Sequence, residues 1–451
     1  MNLKENYIAL VIMHIVIGVL IYSIGSFSRI FFLAVIGYFL VQIIISPIKQ
    51  KTYNILLACA YIVGSEVLFR MTGGGIFYES SKYFVIFFAL FGMFYRGISG
   101  KGYPYFIYLI LLVPAVVVAS TNLGYDLNFR KSVAFVLSGP VCLGVAALFF
   151  YDKKIHIEKM LNVLVYLSLP VVSMTTYLFL YTPSLKSVLT GTGSNFAASG
   201  GFGPNQVSTM LGIGMFAFTV RFFMKSPTLF LKVFNAAVLG AIAFRAIVTF
   251  SRGGVLAAII MIGAFLWLLY AKSSYRQKQN ILLTFVLFCF VGIATWITSS
   301  NQTEGLIDKR YSNQDAKGEV KEDISTGRVD LFVGELEGFF QHPFVGVGAS
   351  GMKQFRLELE GGIVASHNEI SRLLSEHGLM GVLILLILIF KPLDYRTQHK
   401  GNLFFYAFLC FWFATINHSA MRIAAPAFIY SLSLLNIRYD KPSIRRKQLK
   451  A

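Results

Sequence analysis

The chain has 451 residues, of which 56% are apolar, 15% aromatic and only 14% charged, with 43 phenylalanines and a mean hydropathy of +0.66. Soluble domains run at about 45–50% apolar and about 25% charged residues, so a large water-facing multidomain enzyme is excluded, and the long apolar runs exclude a disordered chain. The net charge of +19 does not describe a nucleic-acid binder either: 13 of the 21 acids lie between Glu304 and Glu376 among eight Lys and Arg, leaving that stretch at −5 and the rest at +24.

Apolar runs fall at 7–24, 27–47, 53–72, 82–96, 104–120, 131–151, 160–181, 206–223, 232–250, 254–271, 280–299, 378–390, 402–417 and 423–437. A spanning helix needs about 20 apolar residues, so these runs predict an all-α polytopic membrane protein with about 12–14 transmembrane helices. The runs at 82–96 and 378–390 are short for a full crossing. Placing the N-terminus in the cytoplasm puts Lys49/Lys51, Arg96/Lys101, Lys153/Lys154/Lys159, Arg221/Lys225/Lys232, Lys272/Arg276/Lys278, Lys391/Arg396/Lys400 and the tail Arg445-Arg446-Lys447 in inside segments. That is the bias of the positive-inside rule, and it makes both termini cytoplasmic. The first run follows Lys4 without a small-residue cleavage pattern, which predicts a retained span. All four cysteines (Cys59, Cys142, Cys289, Cys410) lie in apolar runs, so neither a disulfide framework nor a thiolate metal site is expected.

Four regions follow from this trace: an N-terminal transmembrane bundle at 1–181, transmembrane helices with external polar turns at 182–299, one large external loop at 300–377, and C-terminal transmembrane helices with a basic cytoplasmic tail at 378–451. Loops that long are usually functional. Within it, 301–324 reads as polar and mobile. Residues 326–341 read as an amphipathic helix with Val329, Phe332, Leu336 and Phe339/Phe340 near one stripe. The run His342-Pro343-Phe344-Val345-Gly346-Val347-Gly348 is too rich in glycine for helix, and 351–360 reads as a second helix.

Polar residues within and between the spans are the candidates for chemistry. Glu66 and Arg70 are four apart and can pair with each other. Gly203-Pro204-Asn205-Gln206 starts a span at its proline, with two amides that suit either a helix start or a hydroxyl-rich ligand. Arg245 lies inside an apolar run, where a charge usually faces a cavity or a partner. It shares a face with Arg252 if the helix continues, and Glu66 is its candidate ion-pair partner. Arg252, in Ser251-Arg252-Gly253-Gly254, can fork onto phosphate oxygens, with the glycines admitting backbone N–H groups to the same anion; the alternative is a snorkelling arginine. Arg328 opens the loop helix.

Ser366-His367-Asn368-Glu369 reads as a capping box with Ser366 as cap and His367 as first helical residue. A helix N-terminus disfavours imidazolium, and neutral imidazole is the form a general base requires; the alternative leaves His367 facing solvent. His418 and Arg422, four apart on the last external turn, suit capping as well as catalysis. The sequence carries no carboxylate triad, phosphate loop or zinc spacing, so the expected chemistry is metal-independent and without cofactor, with arginines as counter-charge.

Taken in order, Ser251-Arg252-Gly253-Gly254, Gly327-Arg328, His342-Pro343-Phe344-Val345-Gly346-Val347-Gly348, His367-Asn368-Glu369 and Leu373-Leu374-Ser375-Glu376-His377-Gly378-Leu379-Met380-Gly381 resemble the O-antigen ligase and polymerase superfamily over about residues 200–390. The resemblance implies a membrane glycosyltransferase whose donor is a glycan on undecaprenyl diphosphate and whose acceptor is a glycan, lipid A core or protein. It implies that Arg252 and Arg328 hold the diphosphate, with Arg245 as a further candidate, and that His367 is the base. Asn205, Gln206, Asn368, Glu369, His418 and Arg422 are then candidates for acceptor or sugar contacts. The expected partners are membrane lipids and polysaccharide assembly machinery. Two features depart from the family's pattern: fourteen runs where many members have about twelve spans, and Gly-Pro-Asn-Gln in place of Asn-Pro-Asn. A different class of function, a lipid-linked oligosaccharide flippase or other transporter, would carry charge along a central path and two similar halves. A sensor binding an external ligand is a third.

Overall fold

The computed structural model describes residues 3–122, 127–322, 327–352 and 366–439. The chain is an all-α polytopic membrane protein, and nine helices among the described residues are long and apolar enough to cross a membrane. In chain order the helices are α1 (Leu3–Ser23), α2 (Phe27–Ile45), α3 (Ile48–Met71), α4 (Ser80–Arg96), α5 (Tyr103–Leu111), α6 (Val113–Asn122), α7 (Leu127–Phe150), α8 (Ile157–Tyr181), α9 (Pro204–Met224), α10 (Leu229–Ile247), α11 (Arg252–Lys272) and α12 (Tyr275–Gln302). Then come α13 (Leu306–Tyr311), α14 (Arg328–Gln341), α15 (Glu369–His377), α16 (Leu379–Gln398), α17 (Phe405–Ser419) and α18 (Ala425–Ser433). Each of the fourteen apolar runs is therefore helical. The last run is shorter than the sequence suggests, because the chain leaves α18 and enters a strand.

That strand, β2 (Asn436–Arg438), pairs in parallel with β1 (Lys154–His156) and fastens the end of the last span to the turn before α8. The helices form a closed circuit of packed neighbours: α3 on α8, α8 on α9, α9 on α11, α11 on α17, α17 on α18, α18 on α7, α7 on α4 and α4 back on α3. Membrane helices approach closely where small residues meet. Gly64 faces the Leu167 carbonyl and Gly18 the Ser173 carbonyl, each with no room for a Cβ.

Backbone groups inside an apolar slab must find partners within the protein, and two prolines show how this is met. Pro140 lies inside α7 and cannot donate to the carbonyl four residues back; that carbonyl, of Val136, accepts instead from Arg372 Nη1 at 2.9 Å. Pro392 inside α16 likewise frees the Leu388 carbonyl, which accepts from the Tyr430 hydroxyl at 2.9 Å.

The loops sort onto two ends. At one end Lys225 pairs with Glu158 at 2.6 Å, Lys153 donates to the Gly97 carbonyl at 2.8 Å, Lys272 donates to the Lys400 carbonyl, and Asn436 donates to Asp152 at 2.8 Å. At the other, here the loop end, Thr192 donates to the Gln314 carbonyl at 2.9 Å and Arg422 to the Ser366 carbonyl at 2.9 Å. The segments that charge bias assigns to one side thus meet one another.

Within 300–377 the structure corrects one expectation. Residues 301–322 are folded: α12 runs on to Gln302, α13 follows, and Gln314 bridges Val320 in a turn. The amphipathic helix appears as α14. The helix expected at 351–360 lies largely outside the described residues, as does the basic tail. The glycine-rich run is a backbone clamp. Val347 N and Gly348 N donate to the Ser375 and Glu376 carbonyls at 2.9 and 3.2 Å, Leu379 N donates to the Pro343 carbonyl at 2.7 Å, and Ala349 N donates to the Ala115 carbonyl of α6 at 2.8 Å. Gly346, Gly348 and Gly378 take φ of +71°, +88° and +59°, a region that side-chain-bearing residues enter at a cost. A Cβ on Gly378 would also stand 2.5 Å from the Pro343 carbonyl oxygen.

The two-ended sorting yields a labelling test in a background where Cys289 and Cys410 are serine. An impermeant thiol reagent added to intact cells is expected to reach a cysteine at the exposed position Lys317 and not one at Lys154. The reverse pattern would sink the orientation.

Candidate functional site

The loop end gathers arginines from four separate stretches of chain. Arg252 is the first residue of α11, and its Nη1 donates to the Arg310 carbonyl at 3.3 Å. Arg310, on the short helix α13, is 9% exposed, and its Nε donates to the Phe250 carbonyl at 3.1 Å. Arg328 is the first residue of α14, entered through Gly327 at φ +76°. Arg422 lies on the turn between α17 and α18. Burial pulls the Arg310 guanidinium below its ordinary pKa, and the neighbouring Arg252 and Arg328 charges pull it further. Arg328 is lowered by burial and by Arg252, and Arg422 by burial, with Arg372 and Arg328 adding to it. Facing cations raise each other's energy in a low-dielectric setting. An anion held between them relieves it.

Two of the turns that aim these arginines are strained. Phe250, two residues before Arg252, has φ +59°, and Ala420, two before Arg422, has φ +50°; such conformations cost about 1–3 kcal/mol each. Phe250 is fixed by Arg310, and Ala420 by its N–H, which donates to the His367 carbonyl at 3.1 Å. Beside Arg252, Ser251 donates to Asn205 Oδ1 at 2.7 Å and receives Ser208 at 3.0 Å. The glycines after Arg252 work differently from the sequence expectation. A Cβ on Gly253 would strike the His418 ring and one on Gly254 would strike Ser208 and Thr209 of α9. They admit neighbouring helices, and that close approach sets where the α11 N-terminus points.

His367 is half-buried just before α15. The capping box expected at Ser366 is not how this helix begins. Asn368 is the cap, its Oδ1 accepting from Ile370 N at 2.8 Å and Ser371 N at 3.3 Å, which places His367 outside the helix, one residue before the cap. Glu369 does not reach back to the cap either. It is fully buried, ion-paired with Arg372, and accepts from Met421 N at 3.2 Å. Arg372 is thus held by Glu369, by the freed Val136 carbonyl and by Glu376 at 3.6 Å, while Glu335 of α14 accepts from Ser371. Burial pushes the Glu376 carboxyl up to about 7, against the pull of Arg372.

The remaining candidates divide by placement. Asn368 Nδ2 donates to Asn417 Oδ1 at 3.1 Å. The His418 ring is engaged on both nitrogens, 3.0 Å from the Ala414 carbonyl and 3.4 Å from Thr209 Oγ1, which fits a structural role more than an acceptor contact. Gln206 accepts from Arg70 at 3.3 Å. Arg70 pairs with Glu66 at 2.6 Å and with Glu79 at 3.0 Å, so Glu66 answers Arg70 and not Arg245. The face expected to be shared by Arg245 and Arg252 does not form, because α10 stops at Ile247 and the chain turns before α11. Arg245 is buried against the Ala198 and Thr182 carbonyls instead. The residue that sequence reasoning missed is Arg310. Its signal was Leu306, Ile307, Arg310 and Tyr311 at helical spacing inside a stretch read as polar. Among the described residues, no group of His, Cys, Asp and Glu is arranged to hold a metal ion.

An apolar groove of about 610 Å³ runs from Gly253, Asn417 and His418 down between α11, α16 and α17 to Ile389 and Leu393. A polytopic membrane protein with a cluster of arginines at one end and an apolar groove that starts beside Arg252, at Gly253, is the class these features define. Within it, residues 236–386 match the family model described as Wzy_C, O-antigen ligase, which supports the O-antigen ligase and polymerase superfamily. The matched stretch holds Arg245, Arg252, Arg310, Arg328 and His367, whereas Asn205, His418 and Arg422 lie outside it. No curated protein matches the chain.

The position of the cap can be tested by thermal unfolding in detergent. Asn368→Ala is expected to lower stability by about 0.5–2 kcal/mol, with Ser366→Ala the milder change. Equal losses would restore Ser366 as the cap.

Proposed function

We propose that this protein is a membrane glycosyltransferase of the O-antigen ligase type, acting on the outer face of the cytoplasmic membrane. It transfers a glycan from undecaprenyl diphosphate to an acceptor hydroxyl, as a surface-polysaccharide ligase or polymerase. The observation that carries the reading is the convergence of Arg310 and Arg328, both partly desolvated, on Arg252, beside the groove between α11, α16 and α17 that starts at Gly253. A dianionic head and a polyprenyl tail match that pairing of charge and apolar length. A flippase finds no comparable support.

In this mechanism the acceptor hydroxyl attacks the anomeric carbon from the face opposite the diphosphate. The bond from that carbon to the diphosphate oxygen breaks, the configuration inverts, and His367 takes the hydroxyl proton. Undecaprenyl diphosphate leaves with both electrons of the broken bond. Its developing charge is met by cations already in place, which is commonly the largest part of such catalysis, and the base adds about 10²–10⁴-fold. No nucleotide is needed, which suits a donor already on the outer leaflet.

Two variants test the assignments in transfer assays with purified protein and a synthetic undecaprenyl diphosphate glycan. Arg252→Lys keeps the charge but loses the planar fork, and transfer is expected to fall by the equivalent of about 2–4 kcal/mol. Full transfer at normal abundance would make Arg252 a lipid-headgroup contact. His367→Ala is expected to abolish transfer and leave donor binding nearly intact. Wild-type turnover in His367→Ala would place the base elsewhere, and loss of donor binding would make His367 a phosphate ligand.

A further inference from the structure

Arg245 has no part in the cluster just described, and its surroundings pose a separate question. It lies in the half of α10 nearest the loop end and is 1% exposed. Nη2 donates to the Ala198 carbonyl at 2.9 Å and Nη1 reaches the Thr182 carbonyl at 3.5 Å, and the guanidinium stands 5.2 Å from the Phe179 ring centroid. Nε has no hydrogen-bond partner. Among the described residues no carboxylate pairs with it. A charge at this depth is expensive unless it is answered, and two carbonyl dipoles answer it only in part.

The unanswered guanidinium lines a cavity of about 690 Å³ between the end of α8, α10 and α12. The cavity is long. It extends along α10 from Arg245 to Val233, twelve residues, or about 18 Å at helical rise. Arg245, Thr182, Thr298 and Gln302 line one end of it, and Val233, Ala236, Ala237, Gly240 and Val291, with Thr295 among them, line the rest. The flanking helices face outward, since Val233 of α10 and Phe290, Ile293 and Ile297 of α12 are exposed. The cleft therefore opens toward the bilayer.

We propose that this cleft is a binding site for an anionic phospholipid of the surrounding leaflet, with the headgroup phosphate on Arg245 and one acyl chain lying between α10 and α12. Polarity at one end and apolar length at the other match an amphiphile standing in a leaflet, and basic pockets between transmembrane helices suit anionic headgroups. The bilayer supplies such a lipid directly, with no carrier required. By joining Arg245 to the 182–203 segment that covers it, the bound lipid would brace α10, the α10–α11 turn and Arg252 beyond it. The site takes a different ligand from the donor site and does not depend on that assignment.

The test is photolabelling of the purified full chain in nanodiscs with acyl-chain diazirine analogues of phosphatidylglycerol and phosphatidylcholine, with crosslinks mapped to peptides of 229–247 and 275–302. The phosphatidylglycerol probe is expected to label these peptides about fivefold more than the phosphatidylcholine probe, the ratio one basic residue near an anionic headgroup provides. Arg245→Met should abolish the preference. Because Arg245 also ties down the 182–203 segment, Gly240→Phe is the second variant. A Cβ at Gly240 meets Thr295 Oγ1 at 3.6 Å and Val291 Cγ1 at 3.8 Å, ordinary contacts, so the ring fills the cleft and leaves the Arg245 hydrogen bonds in place. It should remove labelling from both probes, whereas Arg252→Lys should leave labelling unchanged. Equal labelling by the two probes, or undiminished labelling in Gly240→Phe, would overturn the proposal and leave Arg245 as a latch for the segment above it. Displacement of the probe by undecaprenyl phosphate at concentrations where phosphatidylglycerol does not compete would overturn the choice of lipid.

Discussion

Where the chain leaves a helix inside an apolar slab, each freed backbone group must be met by another part of the protein, and the loop end is organised around that requirement. The Val136 carbonyl freed by Pro140 is met by Arg372; Arg372 is balanced by Glu369; Glu369 in turn holds Met421 N, next to Arg422. The clamp 343–349 covers the break between α15 and α16 with backbone bonds of its own. A buried arginine thus fixes the segment that carries His367 and the turn that carries Arg422. Loss of one member of such a network is costly because its partners are left charged and dry.

The arginine cluster is a different case, because like charges stand beside one another there. Beyond the effect of burial, Arg252 and Arg328 both pull the Arg310 guanidinium down, and Arg252 does the same to Arg328, while the strained turns at Phe250 and Ala420 hold neighbouring backbone in place. A site that keeps like charges together before its ligand arrives has already met the cost of organising them. The same cations then act on charge that develops in the transition state without rearrangement.

Much of the fold was legible in the sequence because membrane helices announce themselves by composition, and each apolar run proved helical. The loop helix at 328–341 was legible from its apolar stripe. The start of α15 was misread because Ser366 and Glu369 fit the spacing of a capping box equally well. Which residue caps was decided by tertiary demand, since Glu369 is drawn away by Arg372 and Met421 N, and that leaves Asn368. Arg310 was hidden by the polarity of its neighbours, and the separation of Arg245 from Arg252 by a turn only four residues long. Spacing places two residues on one face only when the helix between them is unbroken, and sequence periodicity is least informative at such breaks.

The ladder between β1 and β2 bears on how the protein is made. Its strands lie far apart in the chain, one at 154–156 before α8 and the other at 436–438 after α18. During synthesis the first seven helices and β1 emerge while their fastening strand is still unmade, so α7 waits with one flank unoccupied until α18 arrives beside it. Closure of the circuit therefore waits for α18.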